Sequence, residues 1–240
     1  MFYKLLFLSI FMLTGTAYAQ TDDAPPPVSP VQAALESARE SVRQGDADAA
    51  LETLEALFAG GFTAVGVITG DAELSTLEGT ERYDALVDQM SIAAFPCEHD
   101  PRFKEFDFWV GNWDVHVRNG TFVGRNTIES AERGCVLIEN WTSASGGTGM
   151  SVNYLDEASG EWVQVWNSAG GSQINIRGGL TEDGMLLEGT IHYVATDQTA
   201  PFRGLWTPLE DGRVRQYFEQ GNEDGTEWSP WFEGFYTRAD

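Results

Sequence analysis

Arg203, Arg213, Arg215 and Arg238 crowd the C-terminal part of a chain with 37 Asp and Glu against 14 Lys and Arg. A guanidinium turned into a dry cavity beside a tyrosine hydroxyl would grip a carboxylate in bidentate fashion. Arg203, Arg215, Tyr217 and Tyr236 are therefore candidate ligand-binding residues; turned outward, the same arginines would pair with surface acids. Alternation along extended segments groups further candidates. Leu137, Glu139 and Trp141 share one face of their segment, and Trp162, Gln164 and Trp166 share a face of another. Glu139, Trp141, Gln164, Trp166 and Trp206 complete the ligand-binding set, each tryptophan being either core packing or cavity wall. Asp107, Asp114, Glu139 and Glu233 could pair as general acid and base, although no spacing requires it.

Other chemistry finds little support. The sequence has no G-x-S-x-G and no H-E-x-x-H, so no catalytic residue is assigned. Cys97-Glu98-His99-Asp100 offers metal-binding side chains, but consecutive residues rarely converge on one ion, and His116 and His192 lack a spaced partner. No metal and no cofactor is expected. Ser145-Gly146-Gly147-Thr148-Gly149 is followed by neither a lysine nor a helix, so it reads as a hairpin or portal loop, not a phosphate cradle.

The elements that must hold these residues are short and extended. After Pro101, β-prone runs recur at Trp113–Arg118, Phe122–Glu129, Cys135–Thr142, Met150–Leu155, Trp162–Asn167, Gln173–Arg177, Met185–Val194, Phe202–Leu205, Arg213–Glu219 and Trp231–Arg238. Asn119-Gly120, Ser159-Gly160, Asp183-Gly184, Asp211-Gly212 and Asp224-Gly225 separate several of them, and Asn-Gly and Asp-Gly suit tight hairpins. About ten antiparallel strands joined this way close on themselves, because an open sheet would leave two unpaired edges. The fold class is mostly β, an up-and-down antiparallel barrel spanning 98–240. Such a barrel is wide enough to enclose a cavity.

The segment FDFWVGNWDV contains a Gly111-x-Trp113 step similar to the start of the first strand in lipocalins and other calycins. The stretch from Phe106 to Arg238 resembles a bacterial calycin-like family of unknown function. The resemblance is carried by that segment, by Gly134-Cys135 with Glu139 and Trp141, by Tyr154-Leu155-Asp156 and by Glu161 to Trp166. It continues through Trp206-Thr207-Pro208-Leu209 and Gly212 to Gln216. It implies barrel closure by Gly111, Trp113 and Arg238, with the guanidinium across the indole face. It also implies a head-group site of the fatty-acid-binding kind, at Arg215, Tyr217, Tyr236 and Arg238. Classical lipocalins have eight strands; a count of ten lies nearer the fatty-acid-binding and nitrobindin-like branches. Nitrobindin-like barrels hold haem through a histidine near the C-terminus, and none of His99, His116 and His192 falls in the last two strands.

The N-terminal part is different. Lys4, an apolar run from Leu5 to Leu13 and Ala17-Tyr18-Ala19 read as a secretory signal peptide over 1–19. Residues 20–30 form a proline-rich linker. Ala34, Ala38 and Val42, then Ala50, Leu54 and Leu57, recur at helical spacing around Gln44-Gly45-Asp46, so 31–92 is a helical region. GDADAALETLEALF resembles the second half of a tetratricopeptide repeat, which implies a possible protein partner for this region. In an oxidising compartment Cys97 and Cys135 pair as one disulfide; the rival reading is two buried thiols.

A net charge of −23 excludes a nucleic-acid partner, which needs clustered basic residues, and no segment is long and apolar enough to span a membrane. The leading expectation is a periplasmic or secreted barrel that binds an amphipathic or anionic small molecule through arginine and aromatic residues. The alternatives are a calycin-type enzyme, which needs an inward carboxylate or histidine, and an interaction module acting through the helical repeat.

Overall fold

The structure is a computed structural model and describes residues 28–239. The expected signal peptide and nearly all of the proline-rich linker lie outside these residues. The chain divides into two compact units between Phe62 and Thr63. The short helices after Thr63 fall in the second unit, with the barrel.

The first unit is a helical pair, α1 (Pro30–Arg43) and α2 (Ala47–Ala59). Ser29 caps α1 through a reciprocal pair of hydrogen bonds with Gln32, and Pro30 occupies the first helical position, where its missing N–H costs nothing. Asp46 caps α2 by accepting from the Ala49 amide at 3.0 Å. Gly45 takes φ +79° in the turn between them. Leu35, Ala38, Ala50, Leu51 and Leu54 are buried.

The second unit opens with α3 (Val65–Thr69), α4 (Glu81–Ala94) and α5 (Pro96–His99), followed by two 3-10 turns at Pro101–Lys104 and Asp107–Trp109. Ten strands follow: β1 (Gly111–His116), β2 (Phe122–Ala131), β3 (Val136–Ser143), β4 (Thr148–Asp156), β5 (Glu161–Ser168), β6 (Ser172–Thr181), β7 (Gly184–Tyr193), β8 (Gln198–Pro208), β9 (Val214–Gly221) and β10 (Trp228–Arg238). Each pairs antiparallel with its neighbours in sequence, and β1 pairs with β10 to close the barrel. Closure leaves no unpaired edge. It also defines an inside, which the alternation of side chains can then fill or leave open.

One end is filled. The 3-10 turns insert Phe103, Phe106 and Trp109, and all three are buried. Phe106 stacks on Trp109 with ring centroids 5.0 Å apart and meets Trp162 and Trp206 edge-on at 5.7 and 5.3 Å. Trp113 donates its indole N–H to the Trp109 carbonyl at 2.8 Å. The Arg238 guanidinium lies 3.8 Å from the centre of the Trp113 ring and donates to the Val110 carbonyl at 2.6 Å. Gly111 lies beneath it with φ +139°, and a Cβ there would fall 1.7 Å from Arg238 Nη1. Only glycine leaves room for the guanidinium to lie flat. Arg238→Ala is expected to cost about 1 kcal/mol, the value of one exposed cation–π contact with its hydrogen bond, read as a lowered midpoint in urea.

A disulfide between Cys97 and Cys135 ties the end of the helical segment to the residue before β3. Arg133 reinforces the same junction, 3.7 Å from the Phe95 ring centre and 2.8 Å from Glu98 Oε2.

Candidate functional site

The barrel interior beyond the aromatic plug is open. A cavity of about 290 Å³ is lined by Val123, Glu139, Trp141, Ser143, Gln164, Trp166, Ile174, Gln216, Phe218, Trp231, Phe232 and Tyr236. Alternation explains the membership: on β3, Leu137, Glu139 and Trp141 point in while Ile138 and Asn140 point out, and the same parity puts Trp162, Gln164 and Trp166 inside on β5.

Two tryptophans owe their positions to glycines on the adjoining strand. A Cβ on Gly124 would meet the Trp141 ring at 2.6 Å, and one on Gly149 would meet the Trp166 ring at 2.1 Å. Each indole occupies the space that a side chain on the adjoining strand would fill. Trp141 faces Phe232 with centroids 6.4 Å apart, and Phe218 approaches Trp231 at 6.2 Å. Trp231 is 42% exposed and marks the mouth, where its indole N–H donates to the Tyr193 hydroxyl at 2.9 Å.

The inner wall is polar. Asn126, Glu139, Ser151, Asn153, Gln164 and Gln216 are the buried polar side chains among the described residues, and they join into one network. Glu139 accepts from Asn126 Nδ2 at 2.6 Å through one oxygen and from Ser151 Oγ at 2.6 Å through the other. Asn153 donates to Ser151 Oγ at 2.8 Å, and Gln164 donates to Asn153 Oδ1 at 2.9 Å. On the opposite side the Tyr236 hydroxyl donates to Gln216 Oε1 and accepts from Asn126 Nδ2 at 3.3 Å. Asn126 Oδ1 has no partner.

Charge is the unbalanced quantity here. Burial pushes the Glu139 carboxyl up to about 7, against the lowering effect of the Ser151 and Asn126 hydrogen bonds. No cation contributes. Burial, followed by the Glu139 charge, raises the Tyr236 phenol well above its ordinary value, so it is a neutral donor at any moderate pH.

The arginine reading is corrected. On β9, Gln216 and Phe218 point inward, so Arg215 and Tyr217 lie on the outer face. There Arg215 Nε bonds Glu233 Oε1 at 2.7 Å and its guanidinium covers the Tyr217 ring at 4.5 Å. On β8, Phe202 and Trp206 point inward and Arg203 points out, paired to Glu219 at 2.7 Å and lying over Trp228. Outside, each guanidinium keeps part of its hydration and a carboxylate partner, whereas inside the barrel it would be stripped of water. Trp206 is buried in the aromatic plug, 5.5 Å from Trp109 and 5.1 Å from Phe218, and does not line the cavity. Glu139, Trp141, Gln164, Trp166 and Tyr236 do line it. Glu233 and Asp114 lie outside, paired with Arg118 and Arg125.

Asn126, Ser151, Asn153, Gln216, Phe218, Trp231 and Phe232 were not singled out from the sequence. A signal was present in the strand-interior glycines Gly124, Gly149, Gly204 and Gly234, each of which is covered by a ring of the barrel interior. No protein-family model and no curated protein matches this chain.

Proposed function

We propose that the barrel binds a small amphipathic molecule, with its apolar part between aromatic rings and its polar group at Glu139, Gln164, Gln216 and Tyr236. The observation that carries the reading is a cavity of about 290 Å³ with aromatic walls and convergent polar groups on its inner wall. That combination is the usual signature of a small-molecule site, and the volume is at the lower end of the customary ~300–1,000 Å³. The ligand is not a carboxylate held by arginine, because the arginines of β8 and β9 are committed to Glu219 and Glu233 on the outside.

Paired-carboxylate catalysis lacks its second member: among the described residues, Glu139 is the one carboxylate lining the cavity. The calycin-like resemblance fits a closed ten-stranded barrel, and the disulfide fits an oxidising compartment. Periplasmic or secreted placement belongs to the same proposal, as does a protein partner for the α1–α2 pair.

Titration with Nile red, a neutral apolar dye, tests the binding reading. A single saturable site is expected, and Trp166→Ala should weaken it about tenfold by removing one aromatic wall. A linear, unsaturable signal in the unmodified protein would remove the proposal.

A further inference from the structure

We infer that the ligand carries a cationic amine, seated against Glu139 and enclosed by the aromatic faces of the same cavity. The inference rests on the reading of the barrel as a small-molecule binder and names the class of molecule it takes.

The hydrogen bonds around Glu139 run in one direction. Both groups that touch its oxygens, Asn126 Nδ2 and Ser151 Oγ, donate to it, which is the arrangement that solvates an ionised carboxylate. Among the described residues, no lysine, arginine or histidine lines the cavity. The strand arginines are engaged away from the cavity: Arg125 with Asp114, Arg177 with Glu161, Arg203 with Glu219, Arg215 with Glu233 and Arg238 with the Trp113 ring and the Val110 carbonyl. A buried carboxylate is ordinarily matched by a counter-charge. Here the protein supplies the donors and leaves the counter-charge out, and a bound ammonium would provide it.

The wall is aromatic. Trp141, Trp166, Phe218, Phe232 and Tyr236 line the same cavity as Glu139. Ring faces attract cations and repel anions, most strongly where water is excluded. One carboxylate with several aromatic faces and no cation is therefore complementary to an amine, less so to an alcohol, and hostile to a carboxylate. The net charge of −23 acts in the same sense at longer range by concentrating cations near the surface.

Protonation of Glu139 should control the preference. The titratable group that faces Glu139 from across the barrel is Tyr236, whose phenol stays protonated. The buried polar side chains of the flanking strands are Asn126, Ser151 and Asn153 among the described residues, and β5 and β9 present Gln164 and Gln216. The plug brings Asp107, whose charged neighbour is Lys104, and it does not line the cavity.

Calorimetric titration with 2-phenylethylamine, 2-phenylethanol and phenylacetate, three probes that share a ring and differ in the head group, tests this. At pH 8 the amine should bind at least about tenfold more tightly than the alcohol, and phenylacetate should be the weakest. Lowering the pH to 5.5 neutralises Glu139 while the amine keeps its proton, so the amine-to-alcohol ratio should fall toward one. Glu139→Gln should collapse the ratio at pH 8, and the pH series on the unmodified protein gives the same reading if that variant fails to fold. Equal binding of amine and alcohol at pH 8, or a ratio insensitive to pH, overturns the cation inference while leaving the binding reading in place. Failure of all three probes and of Nile red to saturate removes both.

Discussion

Replacing Cys97 and Cys135 together with alanine should lower the melting temperature of the barrel unit by about 10 °C. The bridge spans a sequence separation of 38, and closing a loop of that length removes enough unfolded-state entropy to stabilise the native state by about 4 kcal/mol. For a unit of this size each kcal/mol moves the transition by roughly 2–4 °C. The loop it closes contains Phe103, Phe106 and Trp109, together with β1 and β2. Without the bridge, the plug is held to the barrel by its ring contacts and by hydrogen bonds such as those from the Trp113 and Trp162 indoles to the Trp109 carbonyl and Glu105. Exposed ion pairs such as Arg133–Glu98 also hold it, but these are worth little alone. Calorimetry on the double variant checks this, and coincident transitions would show that the loop is already constrained in the unfolded chain.

The succession of ten strands was legible in the sequence because its signals are local. Hairpin residues such as Asn119-Gly120 each delimit two strands, and the resemblance to calycins points to Gly111, Trp113 and Arg238 as the closure. Which face of a strand points inward is not local. On β9, Arg215 and Tyr217 form one set and Gln216 and Phe218 the other, and each offers one polar and one aromatic side chain. Alternation groups these residues correctly and gives no preference between the groups. The decision comes from the neighbour: Gly204 on β8 is paired with Phe218, and a Cβ there would meet the Phe218 ring at 2.3 Å. A small residue on one strand thus selects the inward face of the next.

The polar inner wall was hidden for a related reason. Asn126, Ser151 and Asn153 are residue types that usually mark exposed faces, and they are tolerated inside because each satisfies another. Their register partners place them together: Asn126 lies opposite Trp141 on β3, Asn153 opposite Leu137 on β3 and Gln164 on β5. Only closure of the barrel brings β10 and its Tyr236 to the same network.

That network makes the second large effect a pH effect. Burial raises the Glu139 carboxyl from 4.5 to about 7 in the folded protein. Between these values the folded state holds a proton that the unfolded state has released, so stability falls as pH rises through the window and is level above it. The cost reaches about 3 kcal/mol for a fully buried group. Glu139→Gln keeps the shape and removes the titration. The variant should therefore match the unmodified protein near pH 4 and exceed its stability by about 3 kcal/mol at pH 8, as read from urea unfolding across the range. Parallel stability curves for the two proteins would mean that Glu139 ionises without penalty, and with it would go the case for a missing counter-charge. A bound amine should act in the opposite sense to the empty cavity. It lowers the carboxyl again, so the pH dependence of the unmodified protein should flatten when 2-phenylethylamine is present and persist when 2-phenylethanol replaces it.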